Sequence, residues 1–474
     1  MSSSAAQYDI ERPETLLDNN DVEQIYTLPL EQQYAYQLAG LKKRFAEQVD
    51  QIAIVKKLAD EQGVTAIERI EDAAPLLLQH SVYKSYPLSI IEKGQFGRLT
   101  RWLDNLSAHD LSGLDASSCS CIDDWIDLLD DNTDIRVIHS TGTSGKLSFL
   151  PRSVIEVDSM VRGWKMIFDR FQDDPPRVST PVEQLPVIYL AYRAGAMAHH
   201  RLLDGIARIY YNGDSSNIFT LNSGRLSADA VSLGGRLKAA EAKGERGMLQ
   251  IAPSLMARRE AFLKEQEEAP RRMDTFFDAM NARLRGNSVC IMGSVPQLYD
   301  AAVEGQKRGI DNLFDPVSFV MAGGGNKGRV LPSGWRKEVT RFLGVPKLDD
   351  GYGMSEVVAS MRACPNGNYH LFPFVVPFVL DPKSGAPAPR TGTQTGRLGV
   401  FDLNARSYWG GFLTGDKVTV TFGDQPCGCG RVGTYVHPGV TRFTEAEGGD
   451  DKITCAGAPD AHDNAVDFIL NNSL

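Results

Sequence analysis

The sequence predicts an α/β protein, a large domain of mixed sheets flanked by helices, and two stretches carry the prediction. From residue 288 onward short apolar runs alternate with amphipathic ones: SVCIMG at 288–293 as a strand, 295–309 as a helix, and VSFVMAGGG at 317–325 as a strand entering a glycine turn. A helix over 333–344 and the segment VPKLDDGYGMSE at 345–356 complete the repeat. The second stretch is HSTGTSGKLSFLPRS, 139–153, which places a glycine-rich loop between strand-like Arg136-Val137-Ile138 and Leu147–Leu150, with Pro151 expected to stop the outgoing strand. In such wiring ligands lie beyond the carboxyl ends of the strands. A chain of 474 residues exceeds one typical domain, so its core is expected to divide.

Taken in order, residues 1–30 are polar and acidic and are expected to form a loose arm. Tyr34, Leu38, Leu41, Phe45 and Val49 then share one helical stripe, and Gly63 closes this helical region. An amphipathic helix is expected over 153–171, a buried strand over 186–190, and a charged, solvated helix over 257–272. The longest apolar run, Leu371–Leu380, contains Pro373 and Pro377 and is far short of a membrane span.

The balance of 50 basic against 60 acidic residues leaves a net charge of -10, with no global basic field for nucleic acid or an anionic membrane, and neither is expected as a partner. The opening MSSSAAQYDIERPE has no cationic lead and no apolar core, so no signal peptide is read and a cytoplasmic location is expected. Seven cysteines without a secretory signal favour free thiols or metal ligands over a disulfide framework.

Ser140, Thr141, Gly142, Thr143, Ser144, Gly145 and Lys146 form a loop suited to phosphate. Its glycines let backbone N–H groups approach an oxyanion, its hydroxyls donate, and Lys146 brings positive charge. The other reading is an ordinary solvated hairpin loop. The loop departs from a Walker A pattern, because Ser140 stands where that needs glycine and Leu147 where it needs Ser or Thr; a Walker-type NTPase stays as a rival reading, which phosphate rather than pyrophosphate as the product would reveal.

Four further segments follow this loop in order: AGGG (322–325), DDGYGMSE (349–356), FLTGDKV (412–418) and GGDDKITCAG (448–457). Together the five resemble the ordered motifs of the adenylate-forming superfamily, which includes acyl-CoA synthetases, adenylation domains and luciferases, over residues 130–457. Cys364-Pro-Asn-Gly-Asn-Tyr-His370 and Pro426-Cys427-Gly428-Cys429-Gly430-Arg431 are most similar to the phenylacetate–CoA ligase branch and the acyl-protein synthetases of bacterial luminescence. The resemblance implies a large adenylation domain over 31–447, and a hinge with a vestigial remnant of the small carboxy-terminal domain over 448–474.

It also implies roles. Thr141–Lys146 would wrap the β- and γ-phosphates of ATP, with Ser140 beside them; Gly323, Gly324 and Gly325 would lie flat against adenine, and Tyr352 would cover it, followed by Gly353, Met354 and Ser355. Glu356 would hold Mg²⁺ and, with Lys146, carry the catalytic charge, while Asp416 would accept from the ribose hydroxyls and Arg442 is the nearest candidate for a ribose or phosphate contact. Taken singly, each has a plainer reading: a glycine turn, a helix cap at Glu356, a tight turn at Thr414-Gly415-Asp416. Tyr192, His199 and His200 are candidates for the acid pocket, although paired histidines are as often on a surface.

Cys364, His370, Cys427 and Cys429 make a Cys₃His set suited to a structural zinc, against the alternative of two reduced surface loops. Cys119 and Cys121 are expected in an exposed loop and Cys290 in the core. The hinge falls at Asp450 or Asp451; Lys452 lies in it and does not match the lysine of the family's lid, so a partner completing an open site is expected. The implied activity is ATP- and Mg²⁺-dependent formation of an acyl-AMP from a small carboxylic acid, then transfer to a thiol of CoA or a carrier protein. The alternatives are an acyl-protein synthetase acting through Cys455, with His462 the sole nearby base, and a nucleotide-binding pseudoenzyme or scaffold.

Overall fold

A computed structural model of the chain describes residues 12, 15–18, 22–140, 146–168, 180–325, 329–443 and 458–471. In chain order its strands begin with Leu78–Gln79 (β1), Ile135–Ser140 (β2), Ser148–Ser153 (β3), Val187–Ala194 (β4) and Ile218–Arg225 (β5). Next come Cys290–Ser294 (β6), Phe319–Gly323 (β7), Asp349–Tyr352 (β8), Met361–Arg362 (β9) and Tyr369–His370 (β10). The last are Val375–Leu380 (β11), Thr393–Asp402 (β12), Gly411–Thr421 (β13), Tyr435–Val436 (β14) and Thr441–Arg442 (β15).

The α/β reading holds. A six-stranded sheet runs β5-β4-β6-β7-β8-β9, parallel from β5 to β8 and closed by antiparallel β9. Helices Ala198–Tyr210, Val295–Lys307 and Trp335–Leu343 cross between successive strands, as β-α-β wiring requires. Strands covered on both sides must be apolar on both sides, and Val187, Ile188, Ile291 and Val320 are each 1 % exposed or less. The helix after β6 starts sharply because Ser294 and Gln297 cap each other, Ser294 N–H donating to Gln297 Oε1 at 2.9 Å and Gln297 N–H to Ser294 Oγ at 3.4 Å.

The second sheet has seven strands around the order β10-β14-β13-β12-β11, with β1 and β15 also on β13. Its pairs are antiparallel apart from β1 on β13. The apolar run at 371–380 supplies β11, buried throughout. Strands β2 and β3 form a separate hairpin around the glycine-rich loop.

Several expectations change. The stripe from Tyr34 to Val49 lies on helix Leu30–Gln48, and Gly63, at φ 66°, caps a second helix, Ala53–Gln62. Within the expected arm, Leu16, Leu17, Val22 and Ile25 are at most 3 % exposed and join the main core, while residues 1–11, 13, 14 and 19–21 lie outside the described residues. Strand β3 does not stop at Pro151: Pro151 pairs opposite Val137 and the strand continues to Ser153, which a two-stranded hairpin tolerates because its outer edge needs no N–H. Cys119 and Cys121 are buried rather than exposed, and Cys121 Sγ accepts from the Asp124 N–H at 3.4 Å at the start of helix Ile122–Asn132. Cys290 is in the core, as expected. Among the described residues no helix is long and apolar enough to cross a membrane.

Helix Ala458–Asn471 packs on helix Ala228–Lys243, with Ala465 and Ile469 fully buried. At Gly234 a Cβ would sit 1.9 Å from the Ala461 carbonyl oxygen. Gly234→Ala must therefore push the two helices apart, and we expect a loss of roughly 1–3 kcal/mol in chemical denaturation. Gly247→Ala, whose Cβ would meet nothing within 4 Å, is the control and should show no such loss.

Candidate active site

The carboxyl ends of β7 and β8 carry the glycine turn and Tyr352. Gly324 and Gly325 take φ of 69° and 61°, a left-handed backbone that favours glycine, and a Cβ at Gly323 or Gly325 would meet nothing within 4 Å. Among the described residues, nothing stands against the turn's backbone at Gly323 or Gly325. Behind Tyr352 the opposite holds: a Cβ on Gly351 would lie 2.6 Å from Met321 Sδ, and one on Gly353 would lie 2.2 Å from Ser360 Oγ. Glycine on either side lets this segment press against its neighbours and fixes where the tyrosine ring emerges.

Asp416 arrives from the other sheet. Thr414-Gly415-Asp416 is not a tight turn but a bulge in β13: Leu413 pairs with Gly399 and Lys417 with Arg397, so three residues face Leu398 alone. Thr414 Oγ1 donates to the Leu398 carbonyl at 2.8 Å and accepts from the Asp416 N–H at 3.1 Å, which sets the bulge. Asp416 is thereby aimed at Tyr352, whose hydroxyl donates to Asp416 Oδ2 at 2.8 Å. On the other side Arg442 Nε stands 3.3 Å from Asp416 Oδ1, because β15 pairs Arg442 with Asp416. Burial, then the Asp416 charge, holds the Tyr352 hydroxyl well above its ordinary pKa, so it remains a donor.

Glu356, 8 % exposed, follows Met354 and Ser355 out of β8. Burial raises its carboxyl above the usual range, while Arg152 and Arg442 pull it back. Glu156, Asp402, Glu356 and Asp416 bring four carboxylates into this electrostatic neighbourhood against the guanidiniums of Arg152 and Arg442. Among the described residues Glu356 belongs to no cluster of three metal-ligating side chains, so a divalent cation there would take its remaining ligands from phosphate and water.

The phosphate-loop candidates Thr141, Gly142, Thr143, Ser144 and Gly145 lie outside the described residues. Their flanks are placed: Ser140 and Ser148 hydrogen-bond through their hydroxyls across the mouth of the hairpin. The Lys146 ammonium lies 4.9 Å from the centre of the Tyr86 ring, and burial, with nearby Lys84, lowers its pKa. Tyr86 is fixed in turn by its hydroxyl, which donates to the Leu147 carbonyl at 2.9 Å.

Cys364, His370, Cys427 and Cys429 converge from two places in the chain, all buried, their ligand atoms within 4.8 Å of one another. Cys364 and Cys427 sulfurs are 4.0 Å apart, and Cys429 Sγ is 3.3 Å from His370 Nε2. The pairing of β10 with β14 brings the halves together, and such a set can hold one tetrahedral metal ion.

The candidate acid-pocket residues are occupied with packing. Tyr192 donates to Asp463 Oδ1 at 2.6 Å and lies 3.1 Å from His462 Nδ1 on the last helix. His200 is buried and caps its own helix, accepting from the Met197 N–H at 3.3 Å, and a Cβ on Gly195 would stand 2.4 Å from its Nδ1. His199 stacks on Tyr189, ring centres 5.4 Å apart. Asp450, Asp451, Lys452 and Cys455 lie outside the described residues.

No family model matches the sequence, and no curated protein resembles it significantly. Solved structures do match. An open conformation of 2-hydroxyisobutyryl-CoA ligase in complex with 2-HIB-AMP and CoA superposes with a TM-score of 0.50 at 13 % identity, covering 93 % of this chain and 83 % of that one. The same ligase in its postadenylation state, in complex with 2-HIB-AMP, gives 0.50 and 13 %, covering 94 % and 74 %. The chain has the fold of this adenylate-forming ligase.

Arg152 and Tyr408 are missed by reading the sequence. Both are fully buried, and they bond the backbone on either side of Glu356. An arginine directly after Pro151 in a strand expected to have ended is the one signal present. For the bond between the sheets, Tyr352→Phe is expected to cost about 1 kcal/mol in urea denaturation without changing the circular dichroism spectrum. An unchanged midpoint would show that the hydroxyl does not tie the sheets together.

Proposed function

We propose that the protein activates a small carboxylic acid with ATP, forming an acyl-AMP and releasing pyrophosphate, and then transfers the acyl group to the thiol of CoA. The acid's oxygen attacks the α-phosphorus and the bond to the β-phosphate oxygen breaks. In the second step the thiol sulfur attacks the acyl carbon, AMP leaves, and the thiol proton goes to solvent. Activation is needed because a carboxylate is a poor electrophile at neutral pH, whereas AMP is a good leaving group.

The observation that carries this reading is the meeting of Tyr352 and Glu356, from one segment, with Asp416 and Arg442, from two others, beside a glycine turn and the phosphate-loop hairpin. Gly323–Gly325 and the Tyr352 ring bind adenine, Asp416 accepts from the ribose hydroxyls, and Arg442 balances Asp416 and the phosphates. Thr141–Lys146 orient the β- and γ-phosphates and hold the pyrophosphate as it leaves. Glu356 holds Mg²⁺, which supplies positive charge to the phosphates. The ligase of the same fold, solved with 2-HIB-AMP and CoA, supports both the adenylate and the acceptor.

Cys364, His370, Cys427 and Cys429 hold a structural zinc. A tetrahedral ion with Zn–S near 2.3 Å separates two sulfurs by about 3.8 Å. The observed 4.0 Å between Cys364 and Cys427 fits that edge, and His370 Nε2, 3.3 Å from Cys429 Sγ, stands within reach of the same ion.

ATP–pyrophosphate exchange across aryl, fatty and hydroxy acids, with hydroxylamine to trap adenylates, tests the first step; bound ATP without exchange for any acid would leave a nucleotide-binding scaffold. Offering CoA and a phosphopantetheinyl carrier protein in parallel identifies the acceptor. For the zinc, elemental analysis should give about one ion per chain, and Cys427→Ser should lose it together with several degrees of thermal stability. A metal-free chain of undiminished stability would rule the ion out.

A further inference from the structure

We infer that Arg152 and Tyr408 are positioning residues that set the direction in which the Glu356 side chain leaves the backbone; this rests on the assignment of Glu356 to Mg²⁺. Arg152 sits on β3, the strand that leaves the phosphate loop, and is fully buried. One terminal guanidinium nitrogen donates to the Ser355 carbonyl at 2.7 Å and lies 3.3 Å from the Tyr408 hydroxyl, which donates to the Glu356 carbonyl at 2.9 Å. Those carbonyls belong to the peptide groups before and after the Glu356 Cα. Each peptide group is planar, so fixing both fixes the direction in which the Glu356 side chain leaves the backbone.

The surroundings make this frame rigid. Asp402, fully buried, accepts from the Val358 N–H at 2.6 Å and the Asn404 N–H at 2.9 Å. Glu156, also fully buried, accepts from the N–H groups of Ser153 at 2.7 Å, Arg406 at 2.7 Å and Ser407 at 3.1 Å. Each carboxylate thus holds backbone beside Glu356, Arg152 or Tyr408, and the Arg152 charge offsets both. Arg152 itself is held by neutral oxygens, and its Nε and one terminal nitrogen have no hydrogen-bond partner among the described residues. A buried guanidinium with unused donors is a costly way to build a core, and a planar fork that sets a neighbouring carbonyl is what it supplies here.

Partners standing one bond behind a metal ligand typically change metal affinity by about 10–100-fold when removed. The test is Mn²⁺ binding, by electron paramagnetic resonance, to the full-length protein with a non-hydrolysable ATP analogue, alongside the Mg²⁺ dependence of pyrophosphate exchange. Tyr408→Phe removes one hydroxyl and keeps the ring; Arg152→Lys keeps the charge and loses the fork. Both should weaken Mn²⁺ binding about tenfold and raise the Mg²⁺ half-saturation in parallel, while metal-free affinity for the analogue changes less than about twofold. Loss of stability with unchanged Mn²⁺ affinity in Tyr408→Phe would overturn the inference, even if Arg152→Lys fails to fold. Wild-type protein that binds no Mn²⁺ with nucleotide would overturn the Glu356 assignment as well, which separates the two failures.

Discussion

The bond from the Tyr352 hydroxyl to Asp416 joins the end of the parallel sheet to the middle of the antiparallel one, and the candidate site depends on it. Each side of the bond is set by a separate device. Close-packed Gly351 and Gly353 bring Tyr352 forward, and the bulge at Thr414–Asp416 turns the carboxylate out of its ladder. Arg442, paired to Asp416 by strand register, offsets the charge that would otherwise be costly so close to a half-buried ring.

The cysteine–histidine cluster stands beside this seam. Tyr369 precedes His370 and its ring centre lies 5.7 Å from that of Tyr352, so the residue next to one of the four donors packs on the candidate adenine cover. A metal that locks β10 to β14 would also steady the ring that Tyr352 leans on. The proposed metal site and the proposed nucleotide site thus meet at one aromatic contact.

Much of this was legible because it repeats. Alternating apolar and amphipathic runs from 288 onward yield the sheet from β6 to β8, and the two cysteine motifs yield the buried quartet. What was not legible depends on long-range partners. Thr414-Gly415-Asp416 suggests a tight turn until the register of β12 shows it to be a bulge, and Pro151 suggests an ending until β3 is seen to have a free edge. Leu16 and Leu17 are too few to announce burial within an acidic stretch, and Cys119 and Cys121 sit among Ser and Asp that suggest solvent. Arg152 and Tyr408 are separated by more than half the chain, and only the fold makes their contact with Glu356.

The chemistry proposed for this seam makes one atom traceable. If the carboxylate attacks the α-phosphorus, an acid labelled with ¹⁸O in its carboxyl group leaves one labelled oxygen on AMP after thiol transfer, and pyrophosphate remains unlabelled. Mass spectrometry of the products from a single turnover with ATP, Mg²⁺, the labelled acid and CoA reads this directly. Label in AMP is expected; label in inorganic phosphate, with ADP as the other product, would show attack on the γ-phosphorus and rule out an acyl-AMP.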